Sequence, residues 1–206
     1  TVTGTLLSGE AITSVTLTPN AAGLSAGTPA GSAYVVTPSA ATGTGGFLAS
    51  NYSINYVAYN GTVSVRNLTV TASAQTKVYG STAPTSGTLN TNFTITGLQG
   101  TDAVSGVTLI YSGSPAGNLS TAAVGSYTIT PSALTLSSGS VSNYSVSYVT
   151  GTLTINTATL TITGLTANNK TYDGTSSATF SGTEAYSGLQ NGETFTVTGT
   201  PSATCS

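Results

Sequence analysis

The chain has 206 residues, only 4% of them charged, and a formal net charge of −2. Soluble domains usually carry about 25% charged residues, so Ser, Thr, Gly and Asn must supply the polar surface here. Its three Lys and Arg residues are too few for the basic cluster that binds nucleic acid or an anionic membrane, and no apolar run reaches the roughly 18 residues of a membrane-spanning helix.

The sequence contains a pattern that returns about every 92 residues, and we call one period of it a β-repeat. Residues 1–66 are predicted to be the C-terminal part of one β-repeat. Alternation of apolar and polar side chains predicts strands at Ser14–Thr18 and Ala33–Thr37. Pro38 is expected to end the second strand because proline has no N–H to donate to a ladder. The stretch Asn20–Gly31 between the strands is rich in Gly, Ala and Pro and is predicted to be a loop.

Residues 67–157 are predicted to form one complete repeat. Its strands are expected at Leu68–Thr71, Phe93–Thr96, Gly106–Tyr111 and Ser126–Thr130, the last ended by Pro131, with an irregular stretch from Lys77 to Pro84. Residues 158–206 begin a third repeat, because Leu160–Thr163 returns about 92 positions after Leu68. Thr194–Thr198 is the last predicted strand.

One pattern occurs twice, as NYSINYVAYNGTVSV at Asn51–Val65 and as NYSVSYVTGTLTI at Asn143–Ile155. Tyrosine and aliphatic residues alternate with Ser and Asn, so one face of the strand is apolar. Each copy is predicted to be a β-hairpin, and the first is expected to bend at Asn60-Gly61 because Asn-Gly favours tight turns.

Several tyrosines recur at matched positions and are predicted to lie in the core of each repeat, with the hydroxyl reaching a partner at its edge. They are Tyr34, Tyr52, Tyr56, Tyr127, Tyr144 and Tyr148. Tyr59, Tyr111 and Tyr186 have no counterparts, so they are the better candidates for contact with a partner.

The fold predicted from these patterns is all-β, because no segment of useful length has helical periodicity. A period of about 92 residues fits a whole domain, whereas the rungs of a parallel β-helix repeat at roughly 20 residues. We therefore expect sandwich-like repeats arranged end to end as a rod. The link Ile155–Leu160 is short, which favours a stiff connection.

The scarce charges are periodic as well. An acid recurs as Glu10, Asp102 and Glu193, and a lysine recurs as Lys77 and Lys170. The first hypothesis is a structural ion pair or hydrogen-bonded anchor in each repeat, and the second is independent solvated charges. The third is a Lys–Asn isopeptide crosslink promoted by the acid, which requires a buried lysine that has lost its proton.

Catalytic chemistry has few candidate residues. The sequence has no His, its single Cys205 excludes an intrachain disulfide, and acids are about one per repeat. A triad, a paired-carboxylate site and a metal cluster are therefore not expected, and neither is a cofactor. Rows such as Thr128 and Thr130 suit an ice-binding face, but Thr is also the ordinary outward residue of strands short of charge.

Two segments, Lys77-Val-Tyr-Gly80 and Lys170-Thr-Tyr-Asp-Gly-Thr175, accompany Gly125-Ser-Tyr-Thr-Ile-Thr-Pro131 and the Asn143–Ile155 pattern. Together they resemble tandem repeats of the MBG and YDG domain families, which occur in large secreted bacterial surface proteins such as filamentous haemagglutinin-like adhesins. Residues 67–157 resemble an MBG repeat and residues 158–206 the first half of a YDG repeat. Residues 1–66 resemble the back half of either.

The resemblance implies an extracellular stalk or fibre segment of a bacterial adhesin or matrix protein, and it implies no catalytic residue. No signal peptide is evident at the start of the sequence. Because Thr1 and Ser206 both fall inside a repeat, we expect the chain to be a piece of a longer protein. The expected partners are neighbouring repeats of that protein, with other copies through edge strands and surface glycan as further candidates. The alternative function is a binding module that recognises glycan, or ice, through exposed Tyr or Thr faces.

Overall fold

A computed structural model describes residues 4–20, 25–194 and 203–204, and in this part of the chain the only helices are two 3₁₀ turns, Ala49–Asn51 and Val141–Asn143. The predicted all-β class is therefore confirmed. The strands in chain order are β1 (Ala11–Pro19), β2 (Ala33–Thr44), β3 (Tyr59–Thr62), β4 (Arg66–Ala72), β5 (Gln75–Val78), β6 (Ser86–Gly87), β7 (Phe93–Thr96), β8 (Ala103–Tyr111), β9 (Gly125–Ser138), β10 (Tyr144–Val149), β11 (Gly151–Asn156), β12 (Thr161–Ala167), β13 (Ser177–Ala178), β14 (Phe180–Ser187) and β15 (Ala203–Thr204).

The contacts of the chain define two compact units. The first comprises Thr1–Leu68, Gly97–Ala103 and Leu136–Ser147. The second comprises Thr69–Thr96, Val104–Thr135 and Tyr148–Ser206.

The sheet at the start of the chain has the order β1-β2-β3, with antiparallel neighbours. The predicted strands at Ser14–Thr18 and Ala33–Thr37 are confirmed as parts of β1 and β2. Asn60-Gly61 does not bend the chain as predicted, since it lies inside β3, where Asn60 is opposite Val35 and Gly61 is opposite Tyr34.

The predicted end of a strand at each proline is wrong, because β2 continues through Pro38 and β9 continues through Pro131. Strand β2 stays paired with β1 on both sides of Pro38: Leu17 is opposite Pro38, and a β-bulge shifts the register between Ser14 and Thr16. The extra residue is Ala40, with φ of 47°, a left-handed conformation that adds the local bend of a bulge.

Residues 67–157, which we call the central repeat only for the sequence pattern that recurs in them, contain most of two sheets. The smaller has the order β10-β4-β7 and the larger has the order β5-β11-β9-β8-β6. In the larger sheet β11 is an inner strand, parallel to β5 and antiparallel to β9. The prediction that β10 and β11 form a hairpin is wrong, because the two strands follow each other in sequence but belong to different sheets.

The core lies in this central repeat, where alternate side chains of the strands are fully buried. On the smaller sheet the buried side chains are Leu68, Val70 and Phe93, and on the larger sheet they are Leu109, Ile129, Leu153 and Ile155. A contact across the sheets is visible at Gly87 on β6, where an added Cβ would lie 2.9 Å from the Phe93 ring. Each buried aliphatic or aromatic side chain contributes about 1.5–3 kcal/mol, so this core is the main source of stability.

The third segment has two antiparallel pairs, β12 with β14 and β13 with β15. Its apolar side chains are much less covered than their counterparts in the central repeat. Ile162 is 58% exposed, whereas Val70, which occupies the equivalent position, is fully buried. The predicted strand Thr194–Thr198, apart from Thr194, and the cysteine Cys205 lie outside the described residues.

Candidate functional site: recurring contacts of acid, lysine and tyrosine

The recurring acid ends a four-residue turn, which we call the acid turn, at residues 7–10, 99–102 and 190–193. In each copy the backbone N–H of the acid donates to the carbonyl of the first residue, at 3.1 Å for Glu10, 3.1 Å for Asp102 and 2.9 Å for Glu193. A residue with positive φ makes the turn possible: Gly9 at 93°, Gly100 at 59°, and Asn191 at 52°.

In the first two repeats the acid receives the hydroxyl of a tyrosine from the recurring NYS pattern. The Tyr144 hydroxyl donates to Asp102 Oδ2 at 2.6 Å and accepts from the Gln99 N–H at 3.1 Å. The Tyr52 hydroxyl donates to Glu10 Oε2 and accepts from the Leu7 N–H at 3.3 Å. In both places two hydrogen bonds therefore join the tyrosine hydroxyl to the acid turn.

These contacts raise the pKa of both tyrosines. Burial is the larger cause for the pKa of Tyr144, and its hydrogen bond to Asp102 adds to the increase. For Tyr52 the hydrogen bond to Glu10 is the larger cause of the raised pKa. In both cases the carboxylate favours the neutral phenol that donates to it.

The third acid turn has a different tyrosine. Glu193 accepts the hydroxyl of Tyr79, which lies in the central repeat. That hydrogen bond is the largest cause of the raised pKa of Tyr79.

The recurring lysine closes the turn that contains Tyr79. Lys77 is 8% exposed, and its ammonium donates to the carbonyls of Ser81, at 2.9 Å, and of Leu119. Burial lowers the pKa of Lys77.

Lys170 closes the corresponding turn in residues 158–206, where its ammonium donates to the Thr175 carbonyl at 2.6 Å. An ion pair of 2.8 Å to Asp173 adds to this contact, and the Lys170 ammonium lowers the pKa of Asp173. The extra residue Asp173 lengthens the turn by one position relative to the turn after Lys77.

The first hypothesis had two parts, an ion pair or a hydrogen-bonded anchor, and among the described residues the structure shows hydrogen-bonded anchors and no ion pair between the recurring lysine and the recurring acid. Lys77 and Lys170 bind backbone carbonyls of their own turns, whereas Asp102 and Glu193 accept tyrosine hydroxyls. Fixed spacing along the sequence showed that each residue recurs but not which residue it meets. The isopeptide crosslink stays a prediction.

A second recurring contact was not predicted. Ala40 and Ala133 both have positive φ, 47° and 49°, and the next N–H in each case donates to a tyrosine hydroxyl. The Ala41 N–H donates to Tyr56 at 2.8 Å, and the Leu134 N–H donates to Tyr148 at 3.0 Å. The recurring sequence Pro-Ser-Ala at both places was the available signal.

The part of the chain that holds the buried core and the Lys77 turn also matches a known family. Residues 68–154 match the family described as MBG domain (YGX type). The chain contains one MBG domain. It is a β-rich module typical of bacterial surface proteins. No curated protein and no solved structure matches the chain.

The tyrosines predicted for the core differ in burial. Tyr144 in the MBG domain is 8% exposed and lies in the core, but Tyr148 is 40% exposed, so its assignment to the core is wrong. The Tyr148 hydroxyl accepts a hydrogen bond from the Leu134 N–H, next to Ala133 in β9. The other four predicted residues, Tyr34, Tyr52, Tyr56 and Tyr127, are half-buried.

Glycines explain two of the half-buried rings. The Tyr34 ring lies over Gly61 on the neighbouring strand, where an added Cβ would be 2.3 Å from the Tyr34 Cζ atom. The Tyr127 ring lies in the same way over Gly113 and Gly117 of the MBG domain, where an added Cβ would be 2.7 Å away. These glycines let an aromatic side chain pack directly on backbone.

The tyrosines without counterparts do not behave alike. Tyr59 is 66% exposed, as a contact residue should be. Tyr111 is 6% exposed, and its hydroxyl donates to the Pro84 carbonyl at 2.8 Å, so the interpretation of Tyr111 as a contact residue is wrong. Tyr186 is half-buried.

An apolar groove of about 900 Å³ opens on the first segment, within residues 4–59. Ile12, Leu17 and Phe47 line it, and the Phe47 ring stacks on Tyr52 with centroids 5.4 Å apart. Exposed Tyr59 stands on the same groove.

Among the described residues, no three His, Cys, Asp or Glu side chains are grouped where they could hold a metal ion. None of the described helices has the length and apolar character needed to cross a membrane. The prediction that the chain is not an enzyme stays a prediction.

Proposed function

We propose that the chain is a stalk or fibre segment of a bacterial extracellular adhesin or matrix protein. The observation that supports this most is the MBG domain at residues 68–154, a module typical of bacterial surface proteins. The segment acts by spacing: its repeats hold a binding tip away from the cell or pack side by side in a matrix.

The way the MBG domain continues into the next segment supports a mechanical role. Only residues 157–160 separate β11 from β12. Because β11 is an inner strand of the larger sheet, a pull on the next segment is transmitted directly to a buried part of the MBG domain. Short links between repeats also restrict their relative motion, which favours a stiff rod.

The proposal places the protein outside the cell, at the bacterial surface or released from it. The partners in this proposal are further repeats of the same protein, and residues 158–206 resemble a repeat of the YDG type. Other copies are candidate partners through β5 and β6, which are the edge strands of the larger sheet.

A glycan-binding module is the second candidate, because two tyrosines present unusually open rings. Tyr59 is 66% exposed and Tyr172 is 95% exposed. Exposed aromatic rings are a common platform for ligands with an apolar face. Ice binding has weaker support from exposed threonines such as Thr128 and Thr130.

A glycan array probed with the whole chain separates the two candidates. A stalk segment gives no saturable binding, and the substitutions Tyr59→Ala and Tyr172→Ala change nothing on the array. The matched control is Tyr111→Ala, whose ring is buried and therefore outside any surface platform. Glycan recognition would be supported instead by saturable binding that Tyr59→Ala or Tyr172→Ala abolishes and that a folded Tyr111→Ala control retains.

A further inference from the structure

The MBG domain meets the acid turn at residues 190–193 in three ways, two of them through Tyr79 and Gly80 and one through Ser120. The Tyr79 hydroxyl donates to the Glu193 carboxylate. The Asn191 Nδ2 donates to the Ser120 carbonyl at 3.1 Å. The Gln190 side chain lies on Gly80, where an added Cβ would be 2.2 Å from its Oε1 atom.

The surface that receives the acid turn is held in place from inside the MBG domain. The buried ammonium of Lys77 donates to the carbonyls of Ser81 and Leu119, on either side of the contact. The Gly80 N–H donates to the same Ser120 carbonyl, at 3.2 Å, that receives Asn191. The surface is therefore held by hydrogen bonds that do not involve the acid turn.

Two separate observations favour glycine at position 80. Its φ is 89°, a left-handed conformation that other residues rarely adopt. A side chain would also occupy the space that Gln190 fills. The lysine, the tyrosine and the glycine of the Lys77-Val-Tyr-Gly80 segment thus each have a part in one contact.

We propose that Tyr79 and Gly80 form a receptor for the acid turn of the repeat that follows, so that this receptor is the joint between one repeat and the next. The partner it fits is a tight turn that carries Gln or Asn side chains and ends in a carboxylate. The inference rests on the proposed stalk function, for which it supplies the connecting contact.

The third repeat provides matched controls, because Lys170 holds a turn of the same design. Tyr172 is 95% exposed and has no hydrogen bond among the described residues. Gly174 has φ of 73°, and an added Cβ there would meet nothing within 4 Å. These two positions share the local chemistry of Tyr79 and Gly80 without the acid turn.

Hydrogen exchange of the whole chain, read by mass spectrometry on a peptide covering residues 188–193, tests the joint. Tyr79→Phe removes the hydroxyl alone and is expected to speed exchange of this peptide about threefold to tenfold, the range for one lost hydrogen bond. Tyr172→Phe is expected to leave it unchanged. Glu193→Ala reproduces the effect, and combining it with Tyr79→Phe adds no more, because both remove one contact.

The glycine pair gives an independent measurement on the same peptide. Gly80→Ala and Gly174→Ala both place a side chain at positive φ, so the backbone strain is matched. Only Gly80→Ala also displaces Gln190, so only this variant is expected to speed exchange. Adding Gln190→Ala to Gly80→Ala removes the clash and is expected to return most of the protection.

Three results would overturn the joint. They are an acid turn that is already unprotected in the wild-type chain, an equal response to Tyr79→Phe and Tyr172→Phe, and additive effects of Tyr79→Phe and Glu193→Ala. If these exchange results rule out the joint, the stalk proposal still stands or falls by a separate measurement, the radius of gyration of the chain in solution. A globule with a compact radius of gyration and an intact joint would refute the stalk and keep the contact.

Discussion

Leu68 and Leu160 occupy matching positions of a recurring sequence pattern, 92 residues apart, yet only one of the two side chains is buried. Leu68 is fully buried, whereas Leu160 is 45% exposed. Leu68→Ala is therefore expected to cost about 2–5 kcal/mol, the range for emptying a packed site. Leu160→Ala is expected to cost no more than about 1 kcal/mol, because much of its surface already faces water.

Urea denaturation of both variants, followed by circular dichroism, measures these losses. For a domain the size of the MBG domain, 1 kcal/mol lowers Tm by about 4–8 °C, so Leu68→Ala should melt at least about 8 °C below the wild type. The substitution is chemically identical at the two positions, so each variant is the control for the other. Equal losses, or a loss below about 1 kcal/mol for Leu68→Ala, would refute the packing described for the core.

Four further outcomes are expected. Ala133→Gly should raise the free energy of unfolding by up to about 1 kcal/mol, because alanine is strained at its positive φ. Urea denaturation measures this, and a lower free energy of unfolding would show that Ala133 carries no such strain. The free energy of unfolding should fall as the pH rises above about 10, the usual pKa of tyrosine. The raised pKa of Tyr144 keeps its hydroxyl protonated in the native state after the same hydroxyl has ionised in the unfolded chain. Tyrosinate absorbance and thermal melts at the same pH values measure this, and an unchanged melting midpoint contradicts it. Below 10.5 the lowered pKa of Lys77 acts with the opposite sign, so stability due to this lysine rises with pH. Intact mass should equal the sequence mass, because the Lys77 and Lys170 ammonium groups contact backbone, hydroxyl and Asp173 oxygen atoms and not the side-chain carbonyl carbon of an asparagine, which the amine would have to attack; loss of one ammonia would show a crosslink.

Much of the secondary structure of the MBG domain could be predicted from alternation of side chains. The predicted strands at Phe93–Thr96 and Gly106–Tyr111 lie in β7 and β8, because a two-sided strand needs one apolar face. Alternation does not say which strand pairs with which. The consecutive strands β10 and β11 therefore looked like a hairpin, although the chain passes from one sheet to the other between them.

The prolines show a second limit of local patterns. A proline ends a ladder only where its missing N–H is needed, and neither Pro38 nor Pro131 ends its strand. Ala40 and Ala133, both with positive φ, follow two positions later in each case. Their positive φ could not be predicted, because alanine has no preference for that conformation.

The candidate site could be predicted in its parts but not in its pairing. Periodic spacing identified Lys77, Asp102 and Tyr144 as residues with a role in each repeat. Their partners depend on the fold, which brings Tyr144 to the acid turn and leaves Lys77 with backbone carbonyls. The acid and the tyrosine are 42 positions apart both in Glu10 with Tyr52 and in Asp102 with Tyr144. This shared spacing identifies the second hydrogen bond only after the structure has shown the first.

Small-angle X-ray scattering of the whole chain tests the proposed stalk most directly. A compact chain of 206 residues has a radius of gyration of about 17 Å. Repeats joined in line as a stiff rod predict a value well above that figure, with a distance distribution that extends to one long dimension. A radius of gyration near 17 Å would contradict the stalk.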